Sequence, residues 1–328
     1  MAATSLSADL HPVLTEYVIE RLRKNKITSV YSFITISTDK LLNITNLSRE
    51  HISLVKIDLN KRFAGRYCNG STINPGAAVP MSTGVPTVDT LLQGGLHPGH
   101  VYEICGKSGA GKSILSMTIA ANVALRYSGS VCIIDTKCDF SAQKTQLILN
   151  HRHSKLSEKE LGHTMARIKV ERIFSPERLV QTVEELAAGK HFDEQANLKL
   201  LIIDSLPALW YLFQDSKSSC EALGLLTKLI CSLRKLAAQY CVGIVLVNLA
   251  VSVVDGLGRS GSESKRNVCS TGAYSALGRF WESAPGTRLL LQNESSNGSG
   301  SRSVQVWKSN YLRSGEKTFF RITDAGVC

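Results

Sequence analysis

In this chain of 328 residues, the stretch whose residue types and spacing define a chemistry most directly is Gly106-Lys107-Ser108-Gly109-Ala110-Gly111-Lys112-Ser113. It fits the pattern G-x-x-x-x-G-K-[ST], whose backbone N–H groups cradle phosphate oxygens together with the N-terminus of the helix that follows. On this reading Gly106 and Gly111 let the backbone bend around an anion, Lys112 sets an ammonium against the β- and γ-phosphates, and Ser113 offers its hydroxyl to Mg²⁺. The plainer alternative is a glycine-rich turn before an ordinary helix. At a background glycine usage of about 7%, such a match arises by chance in roughly one chain in a hundred of this length. The second candidate is Asp204, at the end of the apolar run Leu198-Lys199-Leu200-Leu201-Ile202-Ile203. A carboxylate at the C-terminal edge of a buried strand orders Mg²⁺ through its waters. Many buried strands end in aspartate, so the weight of Asp204 comes from its place downstream of the phosphate loop.

Both candidates need strands that end at one edge. Val101 to Cys105 reads as a buried strand before the loop and Ile114 to Ala120 as the helix after it. Val131 to Asp135 is a second apolar strand. Helical patterns follow at 139–150 and 157–168, a short strand at 167–174, and a helix at 176–188. A long helix, 220–239, leads to a strand from Val242 to Val247 that ends at Asn248. Strands alternating with helices predict a mainly parallel, doubly wound α/β sheet with its ligand at the strands' carboxyl ends. Thr287 to Gln292 and Arg302 to Lys308, joined by a turn over 294–301 that contains Asn-Gly, predict a β-hairpin, and a last strand covers 318–322. Between 256 and 275 the chain is rich in Gly and Ser and carries Arg259, Lys265 and Arg266. This predicts a long loop whose three cations are candidates for phosphate contacts on DNA, with a merely solvated loop as the alternative.

Upstream, the apolar positions Val18, Ile19, Leu22, Val30, Phe33, Ile34, Leu41, Leu42, Ile44, Leu47, Ile52, Leu54, Val55 and Leu59 predict about four short helices, with Thr38 and Ser48 as N-caps. Residues 67–80 break the periodicity with Gly, Asn and Pro. The expected organisation is a small all-α domain over 1–66, a linker over 67–80, and a large α/β domain over 81–328. Phe63 and Tyr67, at the linker's edge, either close the small core or anchor a neighbouring subunit.

With 43% hydrophobic and 20% charged residues the composition is that of a globular protein. The net charge of +11 suits a polyanionic partner or an anionic cofactor without choosing between them. Nine cysteines are scattered without a C-x-x-C pair, which argues for reduced thiols and against a zinc site. No run of eighteen apolar residues predicts a membrane span, and Met1 to Leu10 lacks the charged-then-apolar plan of a signal peptide.

Taken together, several of these signatures resemble the RecA-type recombinases. They are the helical N-terminal domain, Thr83-Gly84 with Asp89, Leu91-Leu92 and Gly94-Gly95, the phosphate loop, Asp135-Thr136, and Leu201 to Ser205. Within that family the chain is similar to the eukaryotic Rad fifty-one paralogues, in particular the D group, which shares the pattern of Leu277-Gly278-Arg279-Phe280-Trp281. The resemblance implies ATP and Mg²⁺ as cofactors, with Gly106 to Ser113 and Asp204 around the nucleotide and Ser113 and Asp204 toward the metal. It implies DNA-facing loops at about 210–219 and 250–275, sister paralogues and single-stranded or branched DNA as partners, and a nuclear location.

Two departures bear on activity. Lys137 stands where the strand-exchange enzymes carry the acid that activates water, and an ammonium cannot accept a proton. Leu249 stands where they carry a glutamine that senses the γ-phosphate. Asp139 is the substitute base to consider. The expected function is that of an ATP-binding accessory factor in recombinational repair, at most a weak ATPase. The alternatives are an active strand-exchange ATPase and a scaffold whose phosphate loop is a relic.

Overall fold

Among its described residues the N-terminal unit holds a short 3-10 turn (Ala8–Leu10) and four α-helices, and local side chains start most of the α-helices. The Thr15 hydroxyl accepts from the Val18 N–H at the head of α1 (Glu16–Lys24), and Ser29 and Ser32 form a capping box on α2 (Val30–Thr35). The Ser48 hydroxyl accepts from the His51 N–H to open α4 (Arg49–Phe63), as the sequence predicts. At α3 (Thr38–Thr45) the expectation shifts by one residue. Ser37, with extended backbone, is the flanking position, and Thr38 is already the first helical residue. The computed structural model describes residues 5–63, 79–127, 129–189, 197–211, 219–252, 273–294 and 300–328. Its chain divides into two compact units, Met1–Ala77 and Ala78–Cys328. In the first, Leu14, Ile19, Leu22, Phe33, Leu41, Ile52 and Leu59 make a closed core. Two apolar residues expected there lie outside it. Leu54 is 54% exposed, on the opposite face of α4 from Ile52 and Val55, and Phe63 is 38% exposed with the Arg62 guanidinium over its ring. Tyr67 and most of the expected linker lie outside the described residues.

The second unit begins with α5 (Pro86–Leu91), followed by β1 (Val101–Gly106), α6 (Lys112–Arg126), β2 (Ser130–Asp135), α7 (Ala142–Arg152), α8 (Glu158–Ala166), β3 (Ile168–Arg172), α9 (Pro176–Ala187) and β4 (Leu198–Asp204). It continues through α10 (Leu206–Trp210), α11 (Ser219–Tyr240), β5 (Gly243–Ser252), β6 (Ala273–Ser275), α12 (Gly278–Glu282), β7 (Thr287–Asn293), β8 (Arg302–Ser309), β9 (Lys317–Phe320), β10 (Ile322–Thr323) and β11 (Gly326–Val327).

The main sheet runs β3-β2-β4-β5-β1-β7-β8-β9. It is parallel from β3 through β7, and the β7–β8–β9 edge is antiparallel. The inner strands β2 and β4 are largely apolar because both faces are covered, whereas the edge strand β3 is mostly exposed and carries Lys169, Glu171 and Arg172. On β4, Leu200 and Ile202 join the cluster built with Leu115, Ile119 and Val123 of α6, whereas Leu201 and Ile203 join Leu179 and Val183 of α9 and Leu229 and Leu233 of α11. At the entrance to this unit the Asp89 carboxylate accepts from Ser82 Oγ (2.6 Å), the Thr83 N–H (2.7 Å) and Thr83 Oγ1 (2.6 Å). The Thr83-Gly84…Asp89 signature is therefore a hydrogen-bonded turn.

Three elements differ from expectation. Strand β5 does not stop at Asn248; it continues to Ser252 and pairs antiparallel with β6 through Ala250↔Ser275, Val251↔Tyr274 and Ser252↔Ala273. The loop expected to reach Ser275 is thus entered and left through a β-ribbon. At the C-terminus the expected strand ends at Phe320, and β10 and β11 form a separate two-stranded hairpin. Among the described residues no helix is long and apolar enough to cross a membrane.

Candidate functional site

A parallel sheet brings the carboxyl ends of its strands to one edge, and here that edge collects the residues singled out above. The loop after β1 leads into α6, and Asp135 of β2 lies directly opposite Asp204 of β4 in the parallel register. Thr136 Oγ1 donates to the Ser205 carbonyl and accepts from the Ser205 N–H, both at 2.8 Å, and so ties the two strand ends together.

Gly111 caps α6 with φ +98°, a left-handed conformation that glycine adopts without strain. Gly106 serves a different end from the one its motif suggests. Its φ is not positive; a Cβ there would lie 2.6 Å from the Leu291 carbonyl oxygen of β7, so glycine is needed for close approach to the neighbouring strand and not for a bend. Lys112 Nζ donates to the carbonyls of Gly106 (2.8 Å) and Lys107 (2.7 Å), which folds its ammonium over the loop. Burial, followed by the positive charge of Lys137, pulls the Lys112 pKa below the usual lysine value. The first turn of α6 adds the unpaired N–H groups and partial positive charge of a helix N-terminus.

Ser113, Ser116, Asp135, Asp139 and Asp204 line one small cleft beside this loop. Two of its oxygens, Ser116 Oγ and Asp204 Oδ1, are buried without a hydrogen-bond partner. Leaving a buried polar atom unpaired costs about 1–3 kcal/mol, so the Ser116 side of the cleft suits an ordered water. A serine hydroxyl and a carboxylate are oxygen donors of the kind Mg²⁺ takes, and in that respect Ser113 and Asp204 fit the expected metal.

Beside them sits a cation that belongs to the chain. The buried Asp135 carboxylate accepts from the N–H groups of Lys137 (3.1 Å), Asp139 (3.2 Å) and Phe140 (3.0 Å), winding the segment after β2 around itself. That winding seats Lys137 Nζ 2.9 Å from Asp139 Oδ2 and 3.2 Å from Asp204 Oδ1. The second contact is an ion pair without hydrogen-bond alignment, which is why Oδ1 still lacks a hydrogen-bond partner. Burial lowers the Lys137 pKa, but the Asp139 and Asp204 carboxylates more than offset this and hold it above the usual lysine value. Asp139, considered above as a substitute base, is thus already engaged by an ammonium.

Leu249 lies opposite Gly106 in the β1–β5 register, beside the phosphate loop, where its isobutyl group offers no hydrogen bond. Nearby, Arg302 of β8 has a buried Nε without a partner, 3.7 Å from the Cβ position at Gly111.

One buried network escaped the sequence reading. Glu103, fully buried in the middle of β1, accepts from Asn248 Nδ2 (2.6 Å), Trp281 Nε1 (2.7 Å) and Arg288 Nε. Asn248 also donates to Ser275 Oγ (2.8 Å). Glu103 therefore fixes the root of the β5–β6 ribbon. A carboxylate in the middle of an otherwise apolar strand was the available signal. The proposed DNA contacts Arg259, Lys265 and Arg266 lie outside the described residues, as do residues 212–218 of the first expected loop.

A family model described as Rad51 matches residues 76–328. The mouse protein "DNA repair protein RAD51 homolog 4" is 28% identical over 314 residues, covering 93% of this chain and 90% of the relative. The human "DNA repair protein RAD51 homolog 2" is 24% identical over 307 residues, covering 85% and 78%. "DNA repair and recombination protein RadB" of Methanobrevibacter smithii is 27% identical over 256 residues, covering 76% and 94%.

Proposed function

Given that the chain belongs to the Rad51 family, we propose that it is an ATP-binding accessory factor of homologous-recombination DNA repair. In this reading it works in the nucleus, assembles with sister paralogues into a hetero-oligomer, and assists the recombinase on single-stranded or branched DNA. The relatives are named as DNA repair and recombination proteins, which supports the process. The accessory role rests on one observation above all. The ammonium of Lys137 is seated on Asp204, in the region where a hydrolytic site needs a proton acceptor, while the phosphate loop and Lys112 are intact. Such a site is equipped to hold a nucleotide and poorly equipped to activate a water.

The test is titration of the purified full chain with a fluorescent ATP analogue, followed by measurement of phosphate release. Wild type is expected to bind, Lys112→Ala to lose affinity by about tenfold or more, and the isolated chain to hydrolyse ATP far below the enzymes' common turnover of about 1 per second or faster. Rapid hydrolysis that disappears in Lys112→Ala would favour the strand-exchange ATPase instead. Unchanged partner binding in that variant, with no nucleotide bound by wild type, would leave only the scaffold.

The DNA side of the proposal assigns phosphate contacts to Arg259, Lys265 and Arg266, because three cations in a Gly- and Ser-rich loop can follow a flexible polyanion. Replacing them by alanine is expected to weaken DNA binding and to flatten the log–log salt dependence by about one unit per lost contact. A slope that does not change removes them from the interface.

A further inference from the structure

This inference rests on the nucleotide-binding reading and concerns the source of positive charge in that site. In a phosphate-loop site the divalent ion neutralises phosphate oxygens and joins them to a serine hydroxyl and a carboxylate. Here the carboxylate placed to order such an ion, Asp204, already has the Lys137 ammonium at 3.2 Å, and Asp139 holds the same ammonium at 2.9 Å. Both carboxylates line one cleft with Ser113.

The lysine's place is set by the fold, since the segment that carries it is wound on the buried Asp135 through three backbone N–H groups. Lys112 folds over the loop, and Arg302 brings an unpartnered Nε close to Gly111. A divalent ion moving toward Asp204 meets a like charge, and a carboxylate already paired holds it less strongly. A triphosphate entering the same place meets that ammonium and competes for it with the two carboxylates.

We propose that Lys137 is a resident cation of the nucleotide site, taking over the neutralising role of the divalent ion, so that the chain binds ATP with little dependence on Mg²⁺. The bland alternative is a solvated ion pair that has no bearing on the nucleotide.

The test is titration of the full chain with a fluorescent ATP analogue in buffers containing either MgCl₂ or excess EDTA. Wild type and Lys137→Arg are expected to show dissociation constants that differ by less than about threefold between the two buffers. Lys137→Met is expected to weaken about tenfold or more in EDTA and to recover in Mg²⁺. The proposal is overturned if wild type weakens about tenfold or more in EDTA, or if Lys137→Met matches wild type in both buffers. Should the methionine variant not fold, the wild-type comparison decides by itself. Binding that requires Mg²⁺ defeats this inference alone, whereas an absence of binding in either buffer defeats the nucleotide reading and this inference with it.

Discussion

Arg288→Met is expected to lower the unfolding free energy of the large unit by about 3–5 kcal/mol, the range seen when one partner of a buried ion pair is removed. Arg288 and Glu103 have side chains 4% and 0% exposed, so the charge left behind cannot turn to water. Burial works against the charged guanidinium, yet the Glu103 carboxylate overcomes it and holds the Arg288 pKa above the usual arginine value. With Arg288 gone, Glu103 keeps neutral donors such as Asn248 Nδ2 and Trp281 Nε1 but loses its guanidinium. The double variant Glu103→Met with Arg288→Met is expected to cost much less than the sum of the single variants, because it removes the stranded charge along with its partner. Urea unfolding of the four proteins in the cycle measures this. A single-variant cost below about 1 kcal/mol would mean that water reaches the pair and that the network does not hold the strands.

The consequence reaches the site, because the same carboxylate positions Asn248 and, through it, Ser275, on the two strands of the β5–β6 ribbon. Residues 253–272, which carry the proposed DNA contacts, connect those strands. Loss of Arg288 is therefore expected to disturb the ribbon as well as the core, although no residue of the pair touches the phosphate loop's lysine.

That network marks the boundary of what could be read from the chain alone. The sheet, the phosphate loop and the strand-end aspartates were legible because each is written locally. An apolar run of five to seven residues bounded by turns can only be a covered strand or a buried helix segment, and the G-x-x-x-x-G-K-S spacing selects the former before it and a helix after it. Glu103 and Arg288 are separated by 185 residues, and their pairing depends on β1 lying next to β7, which no local pattern states. Each does break the apolar character of its own strand, and a local rule broken inside a core points to a specific partner.

Lys137 was legible as the wrong residue for a base but not as an ion-pair partner of Asp204. Its position follows from the three N–H groups that converge on Asp135, a backbone geometry invisible in residue types. The one-residue shift at Ser37 and the short β10–β11 hairpin are not written locally, because Ser37 and Thr38 are alike in chemistry with no side-chain cap bond at Ser37 to mark the boundary, and because two-residue strands carry no periodicity.

Gly106→Ala is expected to damage both stability and nucleotide binding, and it separates the two reasons for glycine in the phosphate loop. At Gly111 a new Cβ would meet Ile322 Cδ1 at 2.6 Å, the movable end of a side chain, and the main cost would come from φ +98°. At Gly106 the φ is ordinary, but the Cβ would lie 2.6 Å from the Leu291 carbonyl oxygen and 3.2 Å from Ala110 Cβ. Backbone of β7 cannot rotate away as a side chain can, so either β1 and β7 separate or the loop lifts from the sheet. Overpacking of this kind costs about 1–3 kcal/mol. The displaced loop then presents its N–H groups out of place, and a misplacement of about 1 Å can cost about a hundredfold where several contacts must be met at once. Melting temperature and the affinity for a fluorescent ATP analogue, measured on the same preparation, check the two halves of the expectation. A variant that melts lower but binds normally would mean that the strain is relieved within β7. A variant with unchanged melting and unchanged affinity would show that the contact between Gly106 and Leu291 is looser than the structure places it.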